Sequence, residues 1–169
     1  NNDDKVNIGH FLPDFSYGIN FSAAWKGFDA SLFLQGVSGN EIYSVVKYEL
    51  EGMSRLFNSG TAVLDRWTPE NTDTNVPRAV SGDPNRNGRA SDRFVEDGSY
   101  MRIKNVTLGY TLPKSLVNRF RINDLRIFVT GTNLVTWSKF KLWDPEMVNP
   151  RGEEYPLPKS ITVGLTLNL

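Results

Sequence analysis

The last ten residues, Ser160 to Leu169, alternate without a fault: Ile161, Val163, Leu165, Leu167 and Leu169 at odd positions, Thr162, Gly164, Thr166 and Asn168 between them. Side chains along a strand point alternately to opposite sides, so this segment must separate an apolar phase from a polar one. Its length suits a tilted crossing of the hydrocarbon layer, which takes about 9 to 11 residues of strand. The pattern predicts a membrane-spanning strand, of the kind that closes an outer-membrane barrel.

A second such strand covers residues 15 to 25. Phe15, Tyr17, Ile19, Phe21, Ala23 and Trp25 share one face, with Ser16, Gly18, Asn20, Ser22 and Ala24 on the other. Lys26-Gly27 supplies a tight turn, because glycine takes positive φ without strain. The chain returns over residues 28 to 37, with Phe28, Ala30, Leu32, Leu34 and Gly36 opposing Asp29, Ser31, Phe33, Gln35 and Val37.

From Ser38 to Ser99 the alternation is lost and turn formers gather, as at Gly39-Asn40, Asn58-Ser59-Gly60 and Ser81 to Asn85. Residues 41 to 57 place Ile42, Val45, Val46, Leu50 and Met53 three or four apart, which predicts one or two short helices inside a long loop. A loop of this length is an ordered functional excursion or is disordered, and the Trp67 to Asn71 stretch favours the first.

A third strand covers residues 100 to 112, with a phase problem. Val106, Leu108, Tyr110 and Leu112 share a face, but Met101 and Ile103 fall on the other. Either a bulge near Lys104-Asn105 resets the register, or the upper strand rises above the membrane. After a connector at 113 to 124 with a helical turn, a fourth strand spans 125 to 137. A loop rich in proline (Pro145, Pro150, Pro156, Pro158) and containing Gly152 then leads to the closing strand.

Barrels in the outer membrane have short periplasmic turns and long outer loops. Loop lengths therefore assign 26–27 and 113–124 to the periplasm, 38–99 and 138–159 to the outside, and the C-terminus to the periplasmic face. Five strands are too few to close, since the smallest bacterial barrels have about eight. With no signal peptide at its start, the sequence reads as a piece of a longer chain.

Composition narrows the function. Nineteen basic and nineteen acidic residues cancel, which gives no global attraction to nucleic acid. Cysteine is absent and His10 is the only histidine, so thiolate metal sites, disulfides and a histidine triad have nothing to build on. Glu41, Glu49, Glu51 and Asp65 form no acid/base constellation, and the chain reads as a non-enzyme without a cofactor. The mean hydropathy of -0.38 does not mean soluble, because barrel strands give half their positions to a polar lumen.

Specific residues carry a resemblance. The run from Phe94 through Tyr100-Met101-Arg102-Ile103-Lys104-Asn105-Val106-Thr107-Leu108-Gly109-Tyr110 to Pro113 resembles a late strand of the SusC/RagA-type TonB-dependent transporters. So do Asp65-Arg66-Trp67-Thr68-Pro69-Glu70-Asn71, the stretch from Leu125 to Leu134, Asp144-Pro145-Glu146 and the closing strand, in the family's order. Those proteins commonly end in an aromatic residue, where this chain has Leu169.

The resemblance implies an all-β antiparallel transmembrane barrel of 22 strands, of which residues 1–169 are the C-terminal part holding strands 18 to 22. The plug and the TonB box would lie outside this chain. Implied partners are the rest of the barrel and its plug, a SusD-like surface lipoprotein, TonB-ExbB-ExbD acting through the absent parts, and outer-membrane lipid. The implied activity is import of glycans or peptides. A receptor for siderophores or other metal chelates and a soluble β-rich carbohydrate-binding module are the rivals.

Trp67, Trp143 and Tyr155 are the candidate ligand or lid contacts, because they fall in outer loops and flat rings stack on sugars; aromatics also brace loops. Trp25, Tyr110 and Trp137, near strand ends, read as an interfacial girdle. Asp83, Asn85 and Asn87, followed by Gly88, match the opening of a calcium loop, but Phe94 replaces its last ligand, a bidentate Glu, and an Asn/Gly turn is the favoured reading.

Overall fold

The computed structural model describes residues 5–53, 58–146, 149 and 151–168. Leu169 and Pro150 lie outside the described residues. Five long strands form one antiparallel sheet: β1 (Phe15–Trp25), β2 (Phe28–Ser38), β5 (Tyr100–Thr111), β6 (Asp124–Ser138) and β7 (Ser160–Asn168), in the order β1-β2-β5-β6-β7. The sheet is open, with β1 and β7 as its edges.

The Lys26-Gly27 turn closes the first hairpin with both residues at positive φ, 47° and 89°. Two left-handed residues in succession match the right-handed twist of the strands they join. The connector between β5 and β6 holds the expected helical turn, α2 (Lys114–Val117), followed by a 3-10 turn at Asn118–Phe120.

The sheet has two chemically distinct faces. On one, Trp25, Phe28, Tyr110, Ile127 and Leu165 form a row across all five strands, and Phe21, Leu32, Val106, Gly131 and Ile161 form another. This face is uncovered: Ile161, Val163, Leu165 and Trp25 expose 75%, 73%, 67% and 69% of their surface. Aromatics sit at both ends of it, Trp25, Phe28 and Tyr110 at one and Phe15, Tyr17 and Trp137 at the other. From Phe15 to Trp25 the strand runs about 33 Å at about 3.3 Å per residue. A tilt of about 40° reduces that to about 25 Å, the height of the apolar band of outer-membrane barrels.

The phase problem of the third strand is a bulge. Between β2 and β5 the pairing passes from Phe33↔Asn105 to Leu34↔Ile103, which leaves Lys104 as an extra residue. Ile103 and Met101 thereby rejoin Val106, Leu108 and Tyr110 on the apolar face. The adjacent strand answers with its own irregularity, since Ile103 pairs with Val135 and Asn105 with Thr132. There Asn133 adopts φ 52°, a left-handed conformation that asparagine tolerates better than most residues. Its side chain is buried and donates to the Pro158 carbonyl at 3.2 Å.

The 38–99 excursion departs from its expected form, a loop with helices only. It contains two strands, β3 (Glu41–Tyr43) and β4 (Val95–Asp97), paired with each other across half a hundred intervening residues. Ile42 therefore belongs to a strand, and the helix α1 is shorter, Val45–Glu51. Ser44 starts it, accepting the Lys47 N–H on its side-chain oxygen at 3.1 Å. The Ser44 N–H bonds the Phe94 carbonyl at 2.7 Å, and the fully buried Phe94 ring meets Tyr43 and Tyr48 edge-on.

Candidate functional site

Glycines set the relief of the polar face. Asp29, Gly109, Phe128 and Gly164 form one row across β2, β5, β6 and β7. Arg126 reaches across Gly109 to Asp29, with Nε to Oδ1 at 2.8 Å and Nη2 to Oδ2 at 2.5 Å. A Cβ at Gly109 would lie 2.5 Å from both partners, so the bidentate pair needs glycine beneath it. The Phe128 ring lies over Gly164 in the same way and takes the Arg126 cation at 4.9 Å from its centroid.

Nearer the end of the sheet that carries the two long loops, a charge cluster forms where the loop after β6 folds onto this face. Arg102 is 2% exposed. Its Nε donates to Thr136 Oγ1 at 2.7 Å, Nη1 to Glu146 Oε2 at 2.6 Å and Nη2 to Asp144 Oδ1 at 2.6 Å. Lys104 binds both Glu146 oxygens at 2.8 Å, and Gln35 adds a longer contact at 3.4 Å. Two cations face two carboxylates, so the cluster is neutral, and each carboxylate has a partner for its desolvated charge. The Asp144-Pro145-Glu146 turn is thereby strapped across the wall.

The strap also joins the two long loops. Phe140 and Trp143 pack with Ile42, Val46 and Gly152 around a small void. Lys139 pairs with Asp97 at 3.2 Å and Lys47 with Glu96 at 2.5 Å. The Ser99 hydroxyl, its N–H and Lys139 hold the Asp97 carboxyl below the usual carboxylate range.

The structure does not bring the three candidate aromatics together. Tyr155 is 97% exposed. Trp143 is wedged between the loops, with its indole N–H buried and without a partner. Trp67 borders a polar cavity of about 260 Å³ with Thr74, Asn75, Arg78, Asn85 and Asn87. The stretch around it is ordered: Asn71 donates to the Asp65 backbone and side chain, and Thr68 and Asn71 exchange backbone hydrogen bonds.

In the candidate calcium loop, the Asp83 carboxylate accepts the N–H groups of Asn87 and Gly88 at 2.7 and 2.8 Å, so the turn caps itself. Among the described residues no group of three His, Asp or Glu is placed to hold a metal ion. A concavity of about 620 Å³ belongs to the apolar face and is lined by residues such as Trp25, Ala30 and Leu108.

Sequence reasoning missed Arg102, Lys104 and Gln35 as site residues. A signal was present: cations two apart on one strand and acids two apart in one turn. What it lacked was any indication that the turn folds back onto the strand.

No family model matches the chain. Two TonB-dependent receptors of Formosa agariphila match it at 36% identity over 98% of the chain and 35% over 97%. The TonB-dependent receptor SusC of Bacteroides thetaiotaomicron matches at 26% over 92%. The chain belongs to the SusC/RagA-type TonB-dependent receptors. It spans less than a fifth of the length of these curated relatives, 18%, 17% and 15%. Among solved structures, the RagAB peptide importer superposes in its closed-closed state with a TM-score of 0.80 at 29% identity, over 93% of this chain and 17% of that one. Its open-open state gives 0.79 at 27%, over 94% and 17%. The two-faced antiparallel sheet thus matches a fragment of a TonB-dependent barrel, with the strap on its polar face.

Proposed function

We propose that the chain supplies strands 18 to 22 of a 22-stranded barrel that imports glycans or peptides across the outer membrane. Its polar face lines the lumen, its apolar face meets lipid, and the loops at 38–99 and 138–159 form part of the outer rim. The C-terminus lies at the periplasmic face. A plug closes the lumen until TonB-ExbB-ExbD supplies energy through parts of the protein outside this chain. A SusD-like lipoprotein covers the mouth, with Trp67, Trp143 and Tyr155 as the contacts offered to ligand or lid.

The observation that supports this reading best is the uncovered apolar face. A soluble carbohydrate-binding module would bury that face against a second sheet, whereas here it spans five strands with aromatics at both ends. Lipid is the phase that stabilises it.

The test uses the full-length protein in its native membrane. Trp67, Trp143 and Tyr155 are each changed to Ala, and co-purification with the lipoprotein and TonB-dependent uptake are measured separately. Loss of co-purification identifies a lid contact, and loss of uptake with the complex intact identifies a ligand contact. If all three variants pair and transport as the parent does, the loop aromatics have no such role. Uptake indifferent to deletion of TonB would overturn the import reading itself.

A further inference from the structure

The polar cavity beside Trp67 is a built recess within the outer excursion. Two self-capped turns form its walls. One is held by Asn71 on Asp65 and by the Trp67 N–H on the Val76 carbonyl at 2.9 Å. The other is held by the Asp83 carboxylate on two backbone N–H groups. Pro77 and Pro84 stiffen both. The recess is therefore formed before any ligand arrives, which lowers the ordering cost of binding.

Its chemistry is specific. Asn75, Asn85 and Arg78 line it, and among the described residues none of their side chains makes a hydrogen bond or ion pair. The one acid in the lining, Asp83, already has both oxygens engaged. Residues 77 to 91 contain three arginines, Arg78, Arg86 and Arg89, against that single acid. The unspent groups are thus an indole ring, amides that donate and accept, and a cation. Among the described residues no strand edge borders the recess, and Pro77 and Pro84 offer no N–H, so an extended peptide has no main-chain ladder to join. About 260 Å³ is roughly nine water volumes at about 30 Å³ each, room for a sugar ring and its substituents.

We infer that this recess is a subsite for a negatively charged sugar unit within a glycan. The ring lies against Trp67, its hydroxyls meet Asn75 and Asn85, and its carboxylate or sulfate pairs with Arg78. The inference rests on the import reading above and adds the charge of the sugar and the residues that recognise it. Guanidinium binding of a planar carboxylate or a sulfate is charge-assisted, and stronger than a neutral hydrogen bond.

The experiment takes the full-length transporter, purified with its lipoprotein, and measures its binding to a panel of oligosaccharides. One arm carries uronates, one carries sulfate esters, one is uncharged, and an acidic peptide set forms the fourth. The parent is compared with Arg78→Gln, Arg78→Lys and Asn85→Ala. The expected result is binding to one charged-sugar arm that falls about tenfold or more in Arg78→Gln and is largely kept in Arg78→Lys. Whichever charged arm responds identifies the anion. Binding of uncharged sugars alone, of peptides alone, or of charged sugars equally in parent and Arg78→Gln would overturn the subsite. TonB-dependent uptake in the same variants keeps the two readings apart, since its persistence alongside a failed subsite leaves the importer standing.

Discussion

Arg102 gives the sharpest quantitative test, because it is the wall cation that both strap carboxylates, Asp144 and Glu146, share. Breaking a buried ion pair by deleting one partner costs about 3 to 5 kcal/mol. The cost here falls at the low end. Glu146 keeps Lys104 at 2.8 Å and is 24% exposed, so only Asp144, 10% exposed, loses its charge partner outright. Arg102→Met is therefore expected to cost about 3 kcal/mol, all of it in the folding of the strap onto the wall. At about 1.4 kcal/mol per tenfold, local opening becomes roughly a hundredfold more frequent. Hydrogen exchange in the full-length protein reads this at the Glu146 amide, which donates to Asp144 at 3.0 Å, and at the Phe140 amide, held by Ser138 at 3.1 Å. Wall amides such as Val129 and Val163 serve as the internal reference and should stay slow. Lys104→Met is the control, because Glu146 keeps Arg102 at 2.6 Å when Lys104 is removed, and the loss is expected to be about 1 kcal/mol or less. If Arg102→Met speeds exchange at Glu146 no more than Lys104→Met does, the charge cluster does not hold the strap.

Two further outcomes follow from the wall itself. Leu165 is 67% exposed on the apolar face, so Leu165→Arg should cost about 2 to 4 kcal/mol in the folding of the barrel into lipid, with Thr166→Arg far milder; equal damage from both would remove the assigned faces. Cysteines introduced at Ser81 and Ser115 of a cysteine-free full-length background should react with an impermeant thiol reagent on whole cells at 81 and not at 115, and the reverse pattern would invert the topology.

What was legible in the sequence was whatever depends on neighbours along the chain. The period of two in Phe15 to Trp25 and in Ser160 to Asn168 follows from backbone pleat alone, so each face could be named residue by residue. Gly27 marked a turn because few residues take its φ. Even the defect near Lys104-Asn105 was visible as a broken phase, since a one-residue slip moves every later side chain to the other face. Tertiary structure decided what depends on residues far apart. Only the pairing of β2 with β5 selects the bulge over a strand rising out of the membrane. β3 and β4 are three residues each, too short to show a pattern, and exist because they pair with one another. Asp144 and Glu146 reveal their role only when the strap lays them on Arg102 and Lys104, for the partners of a charge are set by the path of the chain through space and leave no local periodicity to read.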